Sequence, residues 1–256
     1  MRSAYSTSKE DYIVALKQIY QKDEKEGFPI TALREIQLLS KLKHENIVKL
    51  IEIVTSKGIV KKNKVANDDN KQLGNVYLVF EYMKHDLLGL LKKRTQLELP
   101  QIKCVMKQIL EGVKYLHDHN IVHRDIKCAN ILVNDKGEIK LADFGLARFM
   151  DRKDKTYTNK VVTLWYRSPE LLLGSTNYTF AVDIWSVGCC FAELLKFVPI
   201  FQVDSEIKAI DMIFRKCGTP TEKTWPGFNL LPYYRNLAPK ETYTKSLLNE
   251  FKNNPR

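Results

Sequence analysis

The sequence predicts an α+β chain, with a small, mostly β N-terminal part carrying one helix and a mainly helical remainder. Three observations carry this. Apolar and aromatic runs at Tyr12–Tyr20, Ile47–Val54 and Asn75–Met83 are bounded by turn residues and read as strands. Between the first two, Ile30–Lys43 repeats Leu33, Ile36, Leu39 and Leu42 every three residues and reads as a helix with one apolar face. Beyond the EYMKHD segment (81–86) the apolar residues fall into long helical stripes.

Taken in order, the first strand carries a single lysine, Lys17. Gly27 and Pro29 then punctuate the chain, and Pro29 suits the first turn of the helix. The segment between the second and third strands holds Lys57, Lys61, Lys62 and Lys64 among Gly, Asn and Asp. It reads as a solvated surface loop, with a docking or nuclear-import patch as the sharper alternative. Pro100–Asn120 places Ile102, Val105, Met106, Ile109, Val113 and Leu116 on one stripe. Ile131–Val133 and Glu138–Ala142 flank Asn134-Asp135-Lys136-Gly137, a hairpin signal. Helices at about 180–196 and 205–216 follow, the second stopped by Gly218 and Pro220. Residues after Trp225 show no clear periodicity, and no structure is assigned to them.

A chain of 256 residues can bury a sizeable core as one large or two small domains. Its 44% hydrophobic and 28% charged content is that of an ordinary soluble globule. The five cysteines, Cys104, Cys128, Cys189, Cys190 and Cys217, are odd in number and form no C-x-x-C pair. That speaks against a disulfide framework or zinc site and for a reducing compartment. Met1–Asp11 is polar and has no apolar core of a targeting segment. The longest apolar stretch, Ala181–Phe201, is interrupted by Asp183, Glu193 and Lys196, so it reads as a buried helix and not a membrane span. A net charge of +11 favours acidic or phosphorylated partners.

The chemistry sits in HRDIKCANIL (123–132) and LADFG (141–145). These match the H-R-D-L-x-x-x-N and D-F-G patterns of protein kinases, with Ile126 in the Leu position. Phosphoryl transfer asks a protein mainly for positioning and charge neutralisation. In that chemistry Asp125 is the base that accepts or orients the substrate hydroxyl proton. Asn130 and Asp143 supply hard oxygen ligands for Mg²⁺ held between the ATP phosphates, and Lys127 neutralises charge on the γ-phosphoryl group. Cys128, inside this loop, reads as an inert filler. V-A-L-K at 14–17 resembles the V-A-I-K strand motif, which makes Lys17 the contact to the α/β-phosphates. Its ion-pair partner is expected in the helix, where Glu35 lies in TALREI.

The segments GFPITALRE (27–35), YLVFEYMKHDL (77–87), YTNKVVTLWYRSPELLLG (157–174) and AVDIWSVGC (181–189) closely resemble cyclin-dependent kinases. The PITALRE form, with EKEGF before it and HRDIKCANIL after it, is similar to the transcriptional branch that phosphorylates the RNA polymerase II C-terminal repeat. The resemblance implies a bilobal kinase fold, with residues 1–83 as N-lobe and hinge and 84–256 as C-lobe. It implies Phe80 as gatekeeper of the adenine pocket, Glu81 and Met83 offering backbone bonds to adenine, and Asp86 near the ribose. Thr158 matches the activation-loop phosphosite, and Arg34, Arg124 and Arg148 match the arginines that clamp its phosphate. Val161, Val162 and Arg167 match the pocket that accepts proline after the modified Ser or Thr. The helix at 29–43 would be the cyclin-contacting element, for a K- or T-type cyclin. The substrate would be a protein with Ser/Thr-Pro sites, the location nuclear, with no membrane or direct nucleic-acid binding expected.

The sequence departs from the family at two places. The glycine-rich loop G-x-G-x-x-G-x-V should precede Lys17, yet the first glycine is Gly27. Met1–Tyr5 aligns with the tail of the family's second strand, so an exposed sheet edge and weakened phosphate cover are expected. Glu170, in the SPE version of A-P-E, normally pairs with a late arginine that no segment here resembles. Its carboxylate is expected to lack that partner, and the 180–196 helix to lack cover. A cyclin-binding module with weak or no catalysis is therefore the alternative to an active kinase.

Overall fold

A computed structural model describes residues 2–5, 13–19, 29–56, 75–94, 97–150, 157–159 and 161–252. Gly27 and the lysines at 57, 61, 62 and 64 lie outside the described residues. The N-terminal part is an antiparallel sheet built from β1 (Arg2–Tyr5), β2 (Ile13–Ile19), β3 (Leu50–Thr55) and β4 (Val76–Glu81) in the order β1-β2-β4-β3. Runs such as IVALKQI and VYLVFE supply the β-branched and aromatic side chains that pack on a pleated surface. The β2–β4 register sets Ala15 opposite Phe80 and Lys17 opposite Leu78.

Helix α1 (Ile30–Leu39) begins directly after Pro29, whose carbonyl accepts the N–H groups of Ala32 and Leu33. It is shorter than the leucine spacing predicts. The N–H groups of Lys41 and Leu42 fold back onto the Leu38 carbonyl, and Leu42 is buried from that turn. The buried face also differs, since Ala32, Glu35, Leu38 and Leu39 point inward while Ile30 and Leu33 are exposed. The second predicted strand starts later than expected. Ile47 and Val48 leave the sheet to bond instead with Leu141, through a parallel bridge and a 3.0 Å N–H···O bond.

The remainder runs through β5 (His85–Asp86), α2 (Leu87–Lys92), α3 (Leu99–Asp118), β6 (Ile121–Val122), β7 (Ile131–Val133), β8 (Ile139–Leu141) and β9 (Arg148–Phe149). It continues with α4 (Pro169–Leu172), α5 (Ala181–Lys196), α6 (Glu206–Cys217), α7 (Tyr234–Leu237) and α8 (Leu247–Lys252). A capping box starts α3, with Glu98 and Gln101 exchanging bonds, and the predicted stripe buries Ile102, Val105, Ile109, Val113 and Leu116. Midway along, Gly112 lets the helix press against Asn46, where a Cβ would stand 3.0 Å from the Asn46 carbonyl oxygen. The β7–β8 hairpin forms as predicted, with Ile131 opposite Leu141. Structure does occur after Trp225. Its pieces are a 3₁₀ turn (Phe228–Leu230), α7 and α8, each too short to leave a readable period. A groove of about 750 Å³ runs along α5, lined by Glu170, Trp185, Phe191, Leu195, Leu248 and Phe251. Burial pushes the Glu170 carboxyl above 4.5. Among the described residues, no helix is long and apolar enough to cross a membrane.

One buried carboxylate fixes the turn that carries the HRD sequence. Asp183, on the first turn of α5, accepts the backbone N–H groups of His123 (2.8 Å) and Arg124 (2.9 Å). Its Oδ2 also meets His117 Nε2 at 2.9 Å. These bonds let Arg124 sit in the left-handed region at φ 65°, which a non-glycine residue adopts only when its surroundings hold it there. His123 is buried beside Phe144, their rings 4.8 Å apart. Its Nδ1 accepts from the Asp125 N–H, which assigns the proton to Nε2, facing the Ala142 carbonyl. Burial lowers the His123 pKa below 6.5, against the pull of the Asp183, Asp125 and Asp143 carboxylates.

Two outcomes follow from this turn. Asp183→Ala leaves two buried N–H donors without a partner and should lower the unfolding free energy by about 3 kcal/mol in urea melts. Below pH 6.5 the unfolded chain takes up a proton at His123 that the folded chain refuses, so stability falls as the pH drops. Thermal melts between about pH 7 and 5.5 should show a shallower decline for His123→Phe than for the parent.

Candidate active site

The sheet, α1 and the segment after β8 converge on one cleft. Lys17 Nζ, on β2, donates to both carboxylate oxygens of Glu35 on α1 (2.8 and 2.9 Å) and to Asp143 Oδ1 (3.0 Å). Glu35 is 3% exposed, while the Asp143 side chain is 48% exposed, so the ammonium bridges a buried carboxylate and one open to the cleft. Burial works against the Lys17 ammonium, but Glu35 and Asp143 outweigh it and hold its pKa above 10.5. Burial raises the Asp143 carboxyl, and Lys17 overcomes it, leaving the net pKa below 3.8. For Glu35 burial wins, and its carboxyl lies above 4.5 despite the ammonium. Asp143 takes a left-handed φ of 63° and opens the single turn Phe144–Leu146, with Phe144 fully buried.

The turn between β6 and β7 presents Asp125. Its Oδ2 accepts from Lys127 Nζ (2.8 Å) and from Asn130 Nδ2 (2.9 Å), and its Oδ1 accepts from Thr163 Oγ1 (3.1 Å). Lys127 Nζ also reaches Thr163 Oγ1 at 3.1 Å. The Asn130 amide nitrogen bonds the Asp125 carbonyl as well, so its carbonyl oxygen Oδ1 takes part in neither bond. Cys128 is fully buried, and contact with Cys190 together with burial pushes its thiol far up, which makes it unreactive.

On the sheet side, Phe80 is buried on β4. The Glu81 side chain accepts the Lys49 N–H at 2.7 Å and pairs with Lys140 Nζ at 3.1 Å. Lys140 Nζ further donates to the Glu45 carbonyl. Asp86 caps α2 through the Gly89 N–H at 2.8 Å, and Met83 is half-buried between these residues.

Thr158 is exposed. Its carbonyl accepts from the Tyr178 hydroxyl (3.0 Å), which in turn accepts from Arg124 Nη1 (2.8 Å). Arg124 Nε donates to the Leu146 carbonyl, and Arg148 Nη1 to that of Ala147. Burial lowers the Arg148 pKa, helped by the nearby Arg124 and Arg34 cations, so the three guanidinium groups share one neighbourhood. None of the three is ion-paired with a described carboxylate. Val161 and Val162 are buried, and Val162 has φ 66°. Its carbonyl accepts from Arg167 Nε (3.3 Å) and Nη2 (3.1 Å).

Sequence reasoning singled out the acid, base and lysine positions but passed over Thr163, Asp183 and Lys140. Thr163 and Asp183 stand inside segments read only for family resemblance or core packing, and Lys140 was read only as part of a strand. Their partners lie 36 to 95 residues away, beyond any local pattern. A buried-helix reading of Ala181–Phe201 did hold a signal, since an aspartate in such a helix needs a partner.

Among the described residues no cluster of three or more His, Cys, Asp or Glu could hold a metal alone. Asp143 and Asn130 offer one carboxylate and one amide oxygen, a set that suits Mg²⁺ completed by water and phosphate oxygens. The protein kinase domain family matches residues 3–251. Cyclin-dependent kinase C-1 of Arabidopsis thaliana is 52% identical over 89% of this chain, which spans 45% of that relative's length. Cyclin-dependent kinase C-3 of Oryza sativa subsp. japonica is 51% identical over 93% of this chain and 72% of its own. A solved structure, the yeast RNA Pol II CTD kinase CTDK-1 complex, superposes with a TM-score of 0.82 at 42% identity, covering 95% of this chain and 75% of that one. With the Lys17–Glu35–Asp143 cluster and the Asp125–Lys127–Asn130 cluster both formed, and relatives of this kind, the chain belongs to the protein kinase family, in its cyclin-dependent branch.

Proposed function

We propose that this chain is a Mg·ATP-dependent, proline-directed Ser/Thr kinase that works with a K- or T-type cyclin. Its substrate would be the RNA polymerase II C-terminal repeat, and its location nuclear. The observation that carries the reading is the placement of Asp125. Its carboxylate is oriented by Lys127, Asn130 and Thr163, and the Lys127 ammonium is near enough to Asp143 to help keep that carboxyl charged. The similarity to cyclin-dependent kinases supports the branch, and the likeness to a solved RNA Pol II CTD kinase supports the substrate.

In this reading Asp143 and Asn130 would hold Mg²⁺, which when bound with ATP neutralises the phosphate charge. Lys17 would contact the nucleotide phosphates, its ammonium kept charged by Glu35. Asp125 orients the substrate hydroxyl and takes its proton at a carboxylate oxygen. Lys127 lies 2.8 Å from that carboxylate, well placed to face the transferred group. Val162 and Arg167 form the seat for the following proline, and Thr158 would be the phosphate-accepting switch facing Arg34, Arg124 and Arg148. The exposed Ile30 and Leu33 on α1 supply apolar surface for the cyclin.

The test is phosphate transfer from labelled ATP to a Ser-Pro heptad peptide, by the full chain with and without a K-type cyclin. Transfer should rise with cyclin and fall at least about 10²-fold in Asp125→Asn. Undiminished labelling in that variant would remove Asp125 as the base, and cyclin capture without transfer would leave only a binding role.

A further inference from the structure

The proline seat depends on the direction in which the Val162 carbonyl points. At φ 66°, a conformation a β-branched residue rarely adopts, that carbonyl faces the Arg167 guanidinium and is engaged by Nε and Nη2. An acceptor occupied in this way offers nothing to a backbone N–H on an incoming peptide. A residue that lacks an N–H forfeits no bond there, while any other leaves a donor unpaired.

The guanidinium itself must be held for this to work. Arg167 is largely buried, its side chain 14% exposed, and uses one edge on Val162. Its remaining nitrogen, Nη1, donates to Glu206 Oε1 at 2.6 Å. Two points, the Val162 carbonyl and the Glu206 carboxylate, therefore fix the plane of the fork. Glu206 stands on the first turn of α6, where a carboxylate is favoured by the helix dipole, so it has its own reason to stay. The same stretch is tied to the activation segment a second time, by Trp165 Nε1 donating to the Val203 carbonyl at 2.8 Å.

We infer that Glu206 is a specificity-determining positioning residue, which enforces proline selectivity by holding Arg167 on the Val162 carbonyl. The inference rests on the proline-directed reading above. It extends that reading to a side chain on a separate helix, whose hydrogen bond goes to the Arg167 guanidinium and not to Val162 or the reacting groups.

The experiment compares kcat/KM for matched Ser-Pro and Ser-Ala heptad peptides, using the full chain with a K-type cyclin. In Glu206→Gln the Ser-Pro to Ser-Ala ratio should fall about two- to fivefold, the span expected for a partly exposed ion pair. The change should lie mainly in the KM for the Ser-Ala peptide. In an Arg167→Ala background the same substitution should change the ratio no further, because Glu206 acts through Arg167. Glu206→Asp, which keeps the charge on a shorter arm, should fall between parent and Glu206→Gln, and thermal melts verify that each variant is folded. An unchanged ratio in Glu206→Gln, or an equal fall when Arg167 is absent, overturns the inference. A parent chain that labels both peptides alike overturns the proline-directed reading itself, and this inference with it.

Discussion

The arrangement of this cleft depends on a carboxylate that never faces it. Asp183 is buried at the start of α5 and takes the N–H groups of His123 and Arg124. A buried charge is costly unless its lone pairs are met, and here two backbone donors and His117 meet them. What the bonds secure is the backbone of a turn. With Arg124 left-handed, the chain reverses so that Asp125 reaches the cleft and the Arg124 side chain goes the other way, toward Leu146 and Tyr178. A single anchor thus serves both the Asp125 carboxylate and the arginine neighbourhood beside Thr158.

A second theme is charge shared across parts of the chain that lie far apart in sequence. Lys17 belongs to the sheet, Glu35 to α1 and Asp143 to the segment beyond β8, and their ion pairs form only when all three arrive. Burial disfavours each charged form and mutual attraction restores it, unevenly, with Lys17 and Asp143 favoured as ions more than Glu35. Glu35 is the deepest of the three, and it reaches Lys17 only because α1 is seated against the sheet. The same helix leaves Ile30 and Leu33 exposed.

Much of this was legible in the sequence, for reasons that differ by residue. Lys17, Asp125, Asn130 and Asp143 stand in short motifs whose spacing is set by local chain geometry, so reading them required no tertiary information. The α3 stripe and the β7–β8 hairpin were equally local. The end of α1 was not, because Leu42 stays buried after the helix has stopped and so prolongs the period. Thr163 and Lys140 could not be read at all. A threonine in an activation segment and a lysine on a short strand carry no mark, and only folding brings them to Asp125 and Glu81.

The contacts around Glu81 carry a mechanical implication. Lys140, on β8, grips both the Glu81 carboxylate and the Glu45 carbonyl, while Ile47 and Val48 are stitched to Leu141 in the same strand. The sheet is thereby riveted to the helical body along one edge, on the side away from Lys17. The same two parts are tied a second time, where Lys17 pairs with Asp143 and α1 packs on the Phe144–Leu146 turn. A sheet held along two separate lines does not pivot freely about either, so a displacement of α1 is passed to the Lys17–Asp143 pair instead of being absorbed by a hinge.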